Sequence, residues 1–86
     1  MPGVVSDSPA LLRRTASQEF LLARYAELGT LNGAIWELVH LHDHEPGHYR
    51  QLTGSDDLPR FETLHRYWKQ IPIAQRRAAR RRFLGG

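Results

Sequence analysis

The chain has no cysteine. Disulfide staples and thiolate metal sites are therefore excluded, and a reducing cytoplasm is the expected compartment. No apolar run approaches the roughly 18 residues that span a bilayer. The first residues carry no basic segment followed by an apolar stretch, so no secretory leader and no membrane partner are expected. No stretch alternates apolar and polar residues with period two, which argues against strands. Gly-x-Ser-x-Gly and glycine-rich phosphate loops are missing, and Ser6, Ser8, Ser17 and Ser55 are read as caps or loop residues. With no cysteine nucleophile either, an enzyme is not expected unless a bound metal supplies the chemistry.

Acid is absent from the last part of the sequence. Residues 1–62 hold five arginines against all nine acids, a net of −4, whereas residues 63–86 hold seven basic residues and no acid, a net of +7. Eleven of the twelve basic residues are Arg, with Lys69 the exception. A basic end on an acidic body points to a polyanion or an acidic surface as partner, and the planar guanidinium fork suits phosphate and carboxylate.

The 86 residues make one domain or less. A chain this short buries only about 60% of its unfolded surface, so its stability margin is narrow. Hydrophobic residues at 41% and charged residues at 24% exclude full disorder. The expected class is all-α, a small domain of three to four helices with a basic C-terminal helix. Its expected parts are a flexible start over residues 1–8, a helical scaffold over 9–71, and an Arg-rich helix with a flexible Gly-Gly end over 72–86.

Ser8-Pro9 reads as N-cap and first residue of helix one, which Gly29 ends. Leu12, Ala16, Phe20 and Ala23 form one stripe of it, and Leu21, Tyr25 and Leu28 a second. Two apolar sides need two neighbours, one of which can be a second copy of the chain in a homodimer. Thr30 caps helix two, whose stripe is Leu31, Ala34, Ile35, Leu38 and Leu41. His48 to Leu52 adds a turn. A third helix is predicted to start at Asp56 and Asp57, where acids suit the dipole, and to bury Phe61, Leu64, Trp68 and Ile71. Pro72 separates it from the last helix. Phe20, Leu38, Leu41, Phe61, Leu64 and Trp68 are predicted in or near the core, and core packing is favoured for Trp36. Trp36 and Tyr49 are secondary candidates for protein contact if exposed.

In the last helix, Arg76, Arg77, Arg80 and Arg81 share a side spanning roughly 140° at 100° per residue, while Arg82 points elsewhere. The opposite side is mostly alanine, which anchors it weakly. Like charges at i,i+4 destabilise it in isolation. An anionic surface would relieve that repulsion. The expected function is accordingly a non-enzymatic binding module of regulator or inhibitor type. It would set Arg76, Arg77, Arg80, Arg81 and Arg82 against an acidic protein surface, a nucleic acid or a nucleoprotein complex, with no cofactor. A helix-turn-helix reading of Gly29 and Ile35 is opposed by Tyr25 at a small-residue position. Glu37 and Asp43 on the would-be recognition helix oppose it further.

The alternative is a metal-binding helical protein. Glu37-x-x-His40 and Glu62-x-x-His65 repeat a spacing used in di-iron bundles, and His44 shares a face with Glu37 and His40. Together Glu37, His40, His44, Glu62 and His65 offer oxygen and imidazole ligands suited to Zn or Fe. About 0.3 Glu-x-x-His matches are expected by chance in a chain of this composition. Several histidines charging together below about pH 6.5 would be a simpler use of the cluster. His42 and His65 are expected at the edge of the core.

Overall fold

A computed structural model describes residues 9–85. The expected flexible residues 1–8, the Ser8 cap and Gly86 lie outside the described residues, as do the side chains of residues 9–12, Leu12 among them. The chain is a small all-α domain. Its elements are α1 (Pro9–Leu28), α2 (Leu31–His44), α3 (Pro46–Thr53), α4 (Phe61–Gln70) and α5 (Ile73–Gly85).

The long α1 is the spine. About 30 Å in length at 1.5 Å per residue, it contacts all four other helices. One side of it meets α2, α3 and α4 through the core, where Leu21 packs with Ala34, Ile35, Leu38, Leu41, Tyr49, Leu64 and Tyr67. Another side carries α5. Two residues suffice to turn the chain from α1 into α2. Gly29 takes a left-handed φ of 80°, and the Thr30 side chain accepts a hydrogen bond from Gly33 N–H at 3.0 Å, satisfying one open donor at the start of α2.

The segment after α2 departs from the sequence expectation. Residues 46–53 form a separate helix rather than one added turn. Pro46 needs no N–H at the first helical position, and Gly54 closes the helix in the left-handed region at φ 73°. Nor does the next helix begin at Asp56 and Asp57; α4 starts at Phe61. Asp56 is bound instead by Arg50 at 2.6 and 2.8 Å, the Asp57 N–H donates to Ser55 Oγ, and Pro59 disfavours helical backbone at Leu58.

The buried side of α4 is Leu64 and Tyr67, continued by Ile71 just beyond its end. Phe61, expected in or near the core, is 44% exposed, whereas Trp68 is half-buried against the core cluster, as Phe20 is. With Tyr67 included, the inward direction of α4 lies about 90° from Phe61 at 100° per residue. Trp36, also expected inside, is 59% exposed. Tyr49 is fully buried, so it is a core residue and not a contact residue; its hydroxyl donates to the Asp57 carbonyl at 2.7 Å, and burial raises its pKa above the usual phenol value. Ser17, read as a cap or loop residue, is buried in the middle of α1. The expected Ala16, Phe20 and Ala23 stripe is only partly inside, with Ala23 exposed.

Candidate functional site

α5 is built by Pro72 and by arginine-compatible packing. Pro72 holds Ile71 extended at ψ 133°, and its carbonyl accepts from the Gln75 and Arg76 N–H groups to open the helix. Arg76 reaches back, its Nε donating to the Ile71 carbonyl at 3.0 Å. It is half-buried, with its guanidinium committed partly to this backbone contact. Arg77, Arg80, Arg81 and Arg82 are exposed.

The side facing α1 is fixed by small residues. Ala79 is the one buried side chain of α5 among the described residues. One turn on, the Phe83 ring lies directly over Gly29; a Cβ built on Gly29 would come within 2.5–2.8 Å of three ring atoms. Arg80 Nη1 donates to the Tyr25 hydroxyl at 3.3 Å, and Tyr25 in turn packs on Trp68 with ring centroids 4.8 Å apart. The expected weak anchoring is thus only half the picture. Alanines contribute little buried area, yet they let α5 approach α1 closely enough for Phe83 to seat. Arg82 faces a groove of about 420 Å³ between α1 and α5, shared with Glu19, Leu22, Ala23 and Ala78.

No guanidinium of α5 lies within 4.0 Å of a carboxylate among the described residues. Several acids are engaged elsewhere, while Glu19 lines the groove that Arg82 faces. Arg24 holds Glu27 through Nη1 and Glu37 through Nε, each at 2.7 Å, the second contact lacking hydrogen-bond alignment. Arg50 holds Asp56, lowering the carboxylate's pKa chiefly through the hydrogen bond. Asp43 serves His42. No ion pair within 4.0 Å offsets the α5 cations among the described residues, and the i,i+4 repulsions of Arg76 with Arg80 and Arg77 with Arg81 stand.

The histidine-rich segment forms no converging ligand set. No group of three or more His, Asp or Glu side chains able to hold a metal occurs among the described residues. His40 and His44 do meet, with ring centroids 4.3 Å apart, but Glu37 is turned to Arg24, while Glu62 and His65 stand on a different helix. His42 has a structural post. Its Nδ1 faces the Asp43 carboxylate and its Nε2 faces the Asp56 carbonyl, both at 2.9 Å. Two acceptors on one ring favour the doubly protonated imidazolium, and the Asp43 hydrogen bond leads in raising its pKa above 6.5.

Trp36, the contact candidate for which core packing is favoured, and Phe61, expected in or near the core, both stand on the surface. They meet edge to face at 5.4 Å on the outside of the molecule. The helical wheel of α2 carries the signal: Trp36 stands roughly 160° from the centre of the buried stripe at 100° per residue. No helix among the described residues is long and apolar enough to cross a membrane. No protein-family model, curated protein or solved structure matches the chain.

Proposed function

We propose that the chain is a non-enzymatic binding module, of regulator or inhibitor type, which sets the arginines of α5 against an anionic macromolecular surface: a nucleic acid, an acidic protein or a complex of the two. One observation carries this reading. Arg77, Arg80, Arg81 and Arg82 are exposed on one helix with no carboxylate in reach among the described residues, although the same domain pairs Arg24 and Arg50 with acids. Four like charges on adjoining turns cost stability in the free protein. A row of phosphates or carboxylates would convert that cost into charge-assisted, forked hydrogen bonds. The docking of α5 through Ala79 and Phe83 supports the same reading, since it holds the cations on a rigid element and limits the entropy lost on binding.

The test is fluorescence anisotropy with labelled duplex DNA, single-stranded RNA and polyglutamate. Wild type is compared with the Arg77→Ala, Arg80→Ala, Arg81→Ala, Arg82→Ala quadruple variant, after circular dichroism shows both folded. The expected result is binding to at least one polyanion that weakens by tenfold or more in the variant, about 1.4 kcal/mol or greater. Absence of binding to all three, or equal binding by the variant, would overturn the proposal.

A further inference from the structure

An open groove of about 420 Å³ runs between α1 and α5. Its walls are apolar, with Leu22, Ala23 and Ala26 from α1 and Ala78 and Ala79 from α5. Ala23 and Ala78 are exposed and Leu22 is half-buried, so the walls are open to solvent. Only Glu19 and Arg82 bring charge to the lining, one of each sign. Both are exposed, and neither lies within 4.0 Å of an opposite charge among the described residues. They stand at opposite ends. Arg80 meets Tyr25 and Phe83 meets Gly29, so α5 runs in the same direction as α1. In that register Gln75, which also lines the groove, lies near Glu19. Arg82 lies just beyond Ala26, which is about 10 Å along the helix from Glu19 at 1.5 Å per residue.

We infer that this groove is the contact between two copies of the chain, packed face to face about a two-fold axis so that Glu19 of each protomer meets Arg82 of its partner. A two-fold axis perpendicular to the groove at its middle reverses the groove's direction. The acidic end of one copy then falls on the basic end of the other, twice, and α1 and α5 of the two copies form a four-helix arrangement. Leu22, the one large apolar side chain of the walls, enters the partner's hollow. The alanines allow helix axes to approach to about 8 Å, the short end of the usual range. Charge selects this occupant. A polyanion would meet Glu19 as well as Arg82, and the apolar walls offer it no hydrogen bond. An acidic protein meets the same opposition, and a basic one is opposed by Arg82. A second copy carries both complements at the required ends. The inference stands apart from the polyanion reading. A single copy offers all four exposed arginines to an anion, whereas in the dimer Arg82 answers the partner's Glu19. Arg77, Arg80 and Arg81 point roughly 110–150° away from the groove side of α5 at 100° per residue, outside the contact.

The measurement is sedimentation velocity on nuclease-treated protein over a dilution series reaching the millimolar range. Wild type should pass from monomer to dimer. Glu19→Arg and Arg82→Glu should each weaken that self-association about tenfold or more, since two like-charge pairs replace two opposite ones. The double reversal, Glu19→Arg with Arg82→Glu, keeps the net charge and should restore the dimer. Ala23→Lys sets a charge among the apolar walls and should leave only monomer. The Arg77→Ala, Arg80→Ala, Arg81→Ala triple variant should dimerise like wild type while losing polyanion binding, so the two proposals can fail separately. All of these side chains are exposed, and circular dichroism confirms each fold before association is read. A monomer mass throughout the series overturns the inference. So does a dimer indifferent to Ala23→Lys or to both single reversals, a double reversal that does not recover, or assembly beyond the dimer.

Discussion

Gly29→Ala tests how α5 is held. Two costs should appear together. Gly29 has φ 80°, and a non-glycine residue in that left-handed region costs about 1 kcal/mol. The new Cβ would also stand 2.5 Å from Phe83 Cζ, so the ring must leave its seat. Phe83 is 45% exposed, so just over half of it is buried. At up to 3 kcal/mol for a fully buried aromatic, displacing the ring forfeits about 1.5 kcal/mol. Gly29→Ala should therefore cost about 2.5 kcal/mol, and Phe83→Ala alone about 1.5 kcal/mol. In the double variant the ring is already gone, so Ala at position 29 adds only its backbone strain, about 1 kcal/mol. The double-mutant cycle, measured by urea denaturation, should thus show a coupling near 1.5 kcal/mol. Hydrogen exchange should reveal faster amide exchange along α5 in either single variant. An additive cycle, with Gly29→Ala costing the same in both backgrounds, would mean that Phe83 does not sit on Gly29 and that the docking of α5 has been misread.

Three further outcomes follow from the core and its edge. Ser17→Ala should stabilise the domain by about 1 kcal/mol in chemical denaturation, because the Ser17 hydroxyl is fully buried with no hydrogen-bond partner among the described residues and Ala is the better helix former; a loss of stability would reveal a partner for that hydroxyl. Tyr49→Phe should cost about 1 kcal/mol, since it deletes the 2.7 Å bond to the Asp57 carbonyl while keeping the ring in place; an unchanged melt would refute the role given to that bond. His42 has a pKa raised on folding, first by its hydrogen bond to Asp43. Its stabilising contribution is therefore complete below the unfolded value of 6.5 and is lost as pH rises through the higher folded value. His42→Gln should flatten the stability profile in that window, and an identical pH dependence in the variant would count against the imidazolium.

Local pattern made the helical class and the arginine face legible. The stripe of α2 held because Ala34, Ile35, Leu38 and Leu41 repeat at spacings that a helix must place together, and all four are buried. Arg77, Arg80 and Arg81 were legible for the same reason, whereas Arg76, grouped with them by the wheel, turns back to the Ile71 carbonyl. What depended on distant partners was not. Phe61 and Tyr67 are equally plausible inward residues until the direction of α1 is known. Trp36 lies off the stripe, but the ordinary preference of Trp for the interior outweighed its position. Glu37 had metal-ligand spacing with His40, and only the approach of Arg24 from another helix shows where its carboxylate goes. The Pro46 helix was short enough to pass for a single turn.

The cationic role of α5 is tested most directly by the salt dependence of binding to duplex DNA, used here as a regular polyanion. If the four exposed arginines of α5 each meet one phosphate, the slope of log affinity against log salt should be about −3.6, roughly a 150-fold loss between 50 and 200 mM. Replacing Arg77, Arg80 and Arg81 with Ala should cut the slope to about −0.9, whereas a charge-matched variant with Arg14, Arg66 and Lys69 replaced by Gln should keep most of it. A flat wild-type slope, or equal slopes in the two variants, would contradict the assignment of α5 as the anion-binding element.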